Sequence, residues 1–189
     1  MKDKKRMIIS TMGPSSSEIS VLRKMKKSGM DIARINTKHA SGKEARENSE
    51  KVRKVGCALL IDIKGEKNLD LVKEIKPDYV AVSFANSAKK INKIKEFTGV
   101  NVISKIESQK GLDNIKELIK ASDGIMVARG DLGKNISFSR VPIYQKLIIK
   151  ECLKNNKMVI TATEMLLSMM DSKTPEGSEV SDIANAVLD

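Results

Sequence analysis

The sequence predicts an α/β fold, a TIM-type (β/α) barrel that is incomplete, with seven strand–helix units. Three observations carry this reading. Short apolar, β-branched runs recur seven times, separated by segments with helical spacing. Several of those runs are apolar at consecutive positions, as strands covered on both faces of a parallel sheet require. Charged residues gather at the carboxyl ends of successive runs, the end at which such barrels carry their chemistry.

The predicted strands are Met7 to Ser10, Met30 to Ile35, Ala58 to Ile63, Tyr79 to Ser83, Asn101 to Ile106, Gly124 to Val127 and Met158 to Thr161. Between the first two, Ser15 and Glu18 have capping-box spacing. Ile19, Val21, Leu22 and Met25 follow at helical periodicity, and Gly29 supplies a stop. Leu69 to Ile75 forms a helix that ends before Pro77. Ile91, Ile94 and Phe97 mark another apolar helical face, as do Ile115, Leu118 and Ile119. Ile143, Leu147, Ile148 and Cys152 mark a longer one. No linker or low-complexity stretch divides the chain, so residues 1–189 read as a single domain.

Composition narrows the function classes. Of the 189 residues, 40% are apolar and 31% charged, ordinary for a globular chain with a real core. The formal charge of +11 comes from 35 Lys and Arg against 24 Asp and Glu, mostly lysines scattered over helical segments. With 3% aromatics and no Trp, a base-stacking platform is hard to build, which argues against nucleic acid. The positive field suits a small phosphorylated anion, or simply a solvated surface. No apolar run reaches membrane-spanning length and no signal-peptide core follows Met1, so neither membrane insertion nor export is expected and the chain reads as cytoplasmic. Cys57 and Cys152 lack metal-ligand spacing and read as buried reduced thiols.

The most informative segment is Ser104-Lys105-Ile106-Glu107. Strand alternation puts Lys105 and Glu107 on the same face. Val127-Ala128-Arg129-Gly130-Asp131-Leu132-Gly133 then reads as a strand followed by a glycine-rich turn carrying a carboxylate. At the catalytic end of a barrel, Glu107 and Asp131 would give Mg²⁺ or Mn²⁺ two hard oxygen ligands, leaving water and substrate to complete the shell. A structural ion pair for Lys105 with Glu107, and a turn-capping role for Asp131, stand beside that reading.

The chain resembles the pyruvate kinase family nearly end to end. The matching segments are STMGPSSS at 10–17, GMDIARINTKHA at 29–40, LLIDIKG at 59–65, AVSF at 81–84, ISKIESQKGLDNI at 103–115, DGIMVARGDLG at 123–133, VITATEML at 159–166 and EVSDIANAVLD at 179–189. The resemblance implies transfer of a phosphoryl group from phosphoenolpyruvate to ADP, giving pyruvate and ATP through a magnesium-bound enolpyruvate. It implies that Lys105 neutralises the transferring phosphoryl group and that Glu107 and Asp131 hold the divalent metal. Backbone amides at Ala128, Arg129 and Gly130 would bind the substrate carboxylate. Thr163 would stand beside the methylene carbon, and Arg34 would contact phosphate. Asn36 and Asp62 match two ligands of the family's K⁺, and His39 lies where the family approaches nucleotide, a place where a loop histidine is also simply exposed.

The chain also departs from that pattern. The family inserts a lid domain after its third strand, whereas Asp62-Ile63-Lys64-Gly65 runs almost directly into a helix. Lys38 and Ile63 stand where the family places a serine and a threonine for K⁺. Either the Lys38 ammonium occupies the cation's place or the site has decayed. Gly177 and Glu164 replace a family arginine and glutamine, and the sequence reaches Asp189 where the family continues into an eighth strand and a C-terminal domain. The barrel would then close with a second copy or a complementing chain, close in an altered way, or belong to a fragment of a split or truncated reading frame. Two further functions stay open: a lid-free lyase or decarboxylase acting on pyruvate-type enolates, and a non-catalytic phosphoenolpyruvate-binding fragment.

Overall fold

A computed structural model describes residues 6–189. Seven strands alternate with helices and hydrogen-bond in chain order, which bears out the predicted α/β class of an incomplete (β/α) barrel. The described residues form two compact units, one of 6–83 with 89–103 and one of 84–88 with 104–189.

The first unit holds β1 (Ile8–Thr11), α1 (Ile19–Lys27), β2 (Met30–Asn36), α2 (Gly42–Val55), β3 (Ala58–Ile63), α3 (Leu69–Ile75), β4 (Tyr79–Val82) and nearly all of α4 (Ala88–Thr98). β1 to β4 pair in parallel, with Asn36 opposite Asp62 and Asp62 opposite Ala81. β3 is buried at five of its six positions, as the consecutive apolar run required. Leu59, Leu60, Ile61 and Ile63 are almost wholly enclosed, along with Leu22, Val52, Val72, Ile91 and Ile94 from the helices. Each such side chain contributes about 1.5–3 kcal/mol relative to exposure.

The strand β5 (Asn101–Ile106) runs from the first unit into the second. The second unit continues through α5 (Gln109–Asp113), α6 (Ile115–Ala121), β6 (Gly124–Ala128), α7 (Arg129–Ile136), α8 (Val141–Lys154), β7 (Met158–Ala162) and α9 (Gly177–Leu188). β6 is buried throughout, while all five residues of β7 are half-buried and α9 has no fully buried residue. Coverage on both faces, expected of the strand runs, therefore holds for β3 and β6 but not for β7.

Several local expectations change. Ser15 does not cap α1. Pro14 opens a short 3₁₀ turn in which the Gly13 N–H donates to Ser16 Oγ, and Glu18 becomes the cap residue of α1. The charged helix α2, which lacks an apolar stripe of ordinary width, begins at a true capping box. The Ser41 N–H donates to Glu44 Oε2 at 2.8 Å, the Glu44 N–H donates back to Ser41 Oγ, and Gly56 ends the helix at φ 75°. On α8 the buried face is Val141, Gln145, Ile148 and Cys152, whereas Ile143 and Leu147 are exposed. Phe97 is exposed too, its ring lying under Lys73 Nζ at 4.7 Å, and Thr98 takes the inward position. Met169 and Met170 are exposed side chains. Cys57 and Cys152 are free and buried, as read.

Candidate functional site

In the first unit the predicted residues meet at the ends of β1, β2 and β3. Arg34 lies along β2, and its Nε and Nη2 donate to Asp62 Oδ2 at 3.1 and 2.8 Å, while Nη1 donates to Thr11 Oγ1 at 2.7 Å. Asp62 is 2% exposed and also accepts from Ser83 Oγ at 3.4 Å. A carboxylate this deeply enclosed requires such partners, because burial without them costs several kcal/mol or more. Asn36 closes β2 and shapes the turn that follows: its Oδ1 accepts the Lys38 N–H at 3.1 Å, and its carbonyl accepts the His39 and Ala40 N–H groups. Lys38 and His39 are exposed on that turn. Ile63 is buried and offers no side-chain oxygen. Only 64–68 separate β3 from α3, so no lid domain intervenes there.

In the second unit the centre is the end of β5. Lys105 Nζ lies 2.9 Å from Glu107 Oε1, and both side chains are almost fully enclosed. Alternation along the strand put them on one face, and burial makes their pairing obligatory. The Phe84 N–H donates to Glu107 Oε2 at 2.6 Å, and the Ala85 N–H donates to the Lys105 carbonyl. Phe84 holds φ 52°, unusual for an aromatic residue, and its side chain is exposed.

The glycine-rich segment after β6 is not a turn. It is the first turn of α7, which begins at Arg129 directly after Ala128. The Gly130 N–H, among the free N-terminal amides of that helix, donates to Thr163 Oγ1 at 2.9 Å. Asp131 is exposed, 3.7 Å from Lys134 Nζ. Thr163 and Glu164 sit at φ 69° and 54°, a region that a β-branched residue adopts at a cost of about 1–3 kcal/mol. A Cβ on Gly130 would stand 3.2 Å from Glu164 Oε1 and 3.5 Å from Thr163 Oγ1, so both side chains close on this backbone.

The structure thus brings together Arg34 with Asp62, Lys105 with Glu107, and Gly130 with Thr163. Glu107 is enclosed and Asp131 open, and among the described residues no three His, Cys, Asp or Glu side chains converge as a metal cluster. Two hard carboxylates still suit Mg²⁺ or Mn²⁺, with water or substrate completing the shell. Sequence reasoning missed the Phe84 N–H, for which no sequence signal exists. It also missed the Arg129 side chain, which donates to the Thr163 carbonyl and to Asp182 of α9. The signal for Asp182 was available, since it is an acidic residue inside a helix with no basic residue three or four positions away.

No described helix is long and apolar enough to cross a membrane. The family model "Pyruvate kinase, barrel domain" matches residues 3–68 and 61–189. Pyruvate kinase of Dictyostelium discoideum is 36% identical over 179 residues, covering 90% of this chain and 34% of the relative. That of Borreliella burgdorferi is 41% identical over 151 residues, covering 75% and 32% respectively. That of Clostridium perfringens is 48% identical over 122 residues, covering 61% and 26%. The chain therefore spans about a quarter to a third of the length of these relatives. The two overlapping matched segments meet at the end of β3, where the lid is missing, and together they account for almost every residue: this chain belongs to the pyruvate kinase family.

Proposed function

We propose that this chain acts as a pyruvate kinase-type phosphotransferase, moving a phosphoryl group between phosphoenolpyruvate and ADP, with residues 1–189 working as one domain. The observation that supports this most is the enclosed Lys105–Glu107 pair at the end of β5, its carboxylate steadied by the Phe84 N–H. A structural ion pair gains little from such burial, because desolvation offsets the attraction. A lysine preset near a transferring phosphoryl group gains much, since that chemistry asks mainly for positioning and charge neutralisation.

Glu107 and Asp131 would hold Mg²⁺ or Mn²⁺, which when bound supplies Lewis-acid neutralisation of substrate oxygens. Lys105 contributes a fixed cation on the phosphoryl side, and the start of α7 a helix dipole for the substrate carboxylate, the Gly130 N–H being engaged by Thr163 Oγ1. Thr163 Oγ1, which accepts the Gly130 N–H, would hold or pass a proton. Arg34, already clamped by Asp62 and Thr11, would meet phosphate without losing rotamer freedom at that moment. Asn36 and Asp62 would serve a monovalent cation unless the Lys38 ammonium replaces it, and His39 would stand toward nucleotide.

The test is pyruvate formation from phosphoenolpyruvate, ADP and Mg²⁺ by purified protein, with Lys105→Met as control. Turnover abolished in the control supports the kinase, whereas no turnover in folded protein sinks it. The short 64–68 connection favours a second reading, enolate chemistry without nucleotide, because nothing there excludes water from a transferring phosphoryl group. Isotope exchange at the pyruvate methyl without nucleotide, in protein that lacks kinase turnover, is the outcome that would select it.

A further inference from the structure

Thr163, in the second unit, holds an unfavourable backbone state that its surroundings explain. It follows β7, is β-branched, and holds φ 69°, a state that nothing in its own chemistry favours. One side chain fixes it from outside. Arg129, 7% exposed, donates from Nε and Nη2 to the Thr163 carbonyl at 3.1 and 2.6 Å. The other guanidinium nitrogen, Nη1, donates to both carboxylate oxygens of Asp182 at 2.6 and 2.8 Å. The planar fork of arginine suits this double engagement, and a lysine would supply only a point charge. The adjacent residue, Gly130, completes a ring of contacts by donating its N–H to Thr163 Oγ1. Three elements, the start of α7, the end of β7 and the middle of α9, are thereby tied through one side chain.

We propose that Arg129 and Asp182 are positioning residues that hold Thr163 in its left-handed backbone state, so that its hydroxyl stays on the Gly130 amide. Asp182 acts entirely through Arg129. Arg129 acts through its guanidinium, a role separate from the backbone amide that the family resemblance assigns to it. The catalytic meaning of this clamp rests on the phosphotransferase reading, but its structural content does not. Strain of this kind persists only where the surroundings over-determine it. Here the surroundings are four charge-assisted hydrogen bonds from one buried cation.

The test uses Asp182→Asn, chosen because Asp182 is the more exposed partner and asparagine keeps its shape, with Arg129→Lys as the second variant. Backbone resonances of Thr163 and Gly130 are followed by NMR, with Gly56 and Gly99 of the first unit reporting that the fold is retained. The clamp predicts that Thr163 Cα and Cβ shifts move toward those of an ordinary extended residue and that the Gly130 amide proton moves upfield, while Gly56 and Gly99 stay put. In the phosphotransferase assay kcat should fall about tenfold or more, as misplaced catalytic groups do, with KM for phosphoenolpyruvate changed by less than about threefold. Unmoved Thr163 and Gly130 resonances in both folded variants overturn the clamp, whatever the kinetics. Moved resonances in a protein with no turnover even as wild type uphold the clamp and reject the phosphotransferase reading instead.

Discussion

Lys105→Met removes the ion-pair partner of Glu107, one of the most enclosed carboxylates among the described residues, and the geometry sets the cost. Glu107 is 1% exposed and Lys105 7%, with Nζ and Oε1 2.9 Å apart. Removing one partner of a buried pair typically costs about 3–5 kcal/mol, because the other charge stays desolvated. Glu107 keeps the Phe84 N–H at 2.6 Å, which places the expectation toward the lower end of that range. With a urea slope of about 2–3 kcal/mol per molar for a chain of this size, the midpoint of the second unit should fall by about 1–2 M. Equilibrium unfolding followed by circular dichroism measures it. The companion Lys105→Met with Glu107→Gln removes both charges and should recover more than half of the loss, since neutral replacement of a whole pair is often close to neutral. A single variant within about 0.3 M of wild type, or a double no more stable than the single, would refute the reasoning by showing that the pair is effectively solvated. The consequence reaches the activity assay, where Lys105→Arg is the better second control because it removes the lysine's shape while keeping a cation against Glu107.

Two other outcomes follow from packing and burial. Gly111→Ala puts a Cβ 2.9 Å from the Ala85 carbonyl, a backbone atom that cannot swing away; overpacking of about 1–3 kcal/mol outweighs the helix-propensity gain of about 1, so the melting temperature should drop by a few degrees. A melting temperature equal to or above wild type in differential scanning calorimetry would show that the 84–88 segment yields. The Cys152 thiol is pushed up to about 12 by burial, with Glu151 adding to it, so the folded chain keeps its proton where the unfolded chain releases it. Stability from this group is therefore present below an unfolded thiol's pKa of about 8.5 and declines as pH rises above it, by up to about 1.4 kcal/mol per unit. Urea midpoints at pH 8 and pH 10 should fall further for wild type than for Cys152→Ser, and parallel declines would contradict the assignment.

The fold was legible wherever burial acts on both faces of an element. β3 and β6 are apolar runs because all but one of their positions are buried, and their limits were read to within a residue. α2 was opaque for the converse reason. Only Ala45, Ser49 and Val52 are buried along its 14 residues, so its hydrophobic stripe is almost absent and its signals are the Ser41–Glu44 box and the Gly56 stop. α8 misled because its apolar residues exceed what its buried face needs. Ile143 and Leu147 fit helical spacing as well as Ile148 does, and only packing against the rest of the second unit decides between the faces. Spacing identifies a helix, but it does not choose its inward side when apolar residues stand on both.

The candidate site divides along a similar line. Lys105 and Glu107 were readable because strand alternation is a local rule and two charges on an otherwise buried strand have few places to go. The backbone contributions were not readable: the Phe84 amide reaches Glu107 only because Phe84 takes a positive φ, and Thr163 holds its hydroxyl on Gly130 only because Arg129 grips its carbonyl. Both unfavourable backbone states occur beside the groups proposed to do chemistry, and each is held by a hydrogen bond from or to a distant segment. Asp182, like Glu179 an acidic residue of α9 with no basic helical partner, was a trace of this arrangement in the sequence. Residues that touch substrate can be matched by type and order, whereas those that hold strained backbone in place are found by asking which buried charge the local structure leaves unexplained.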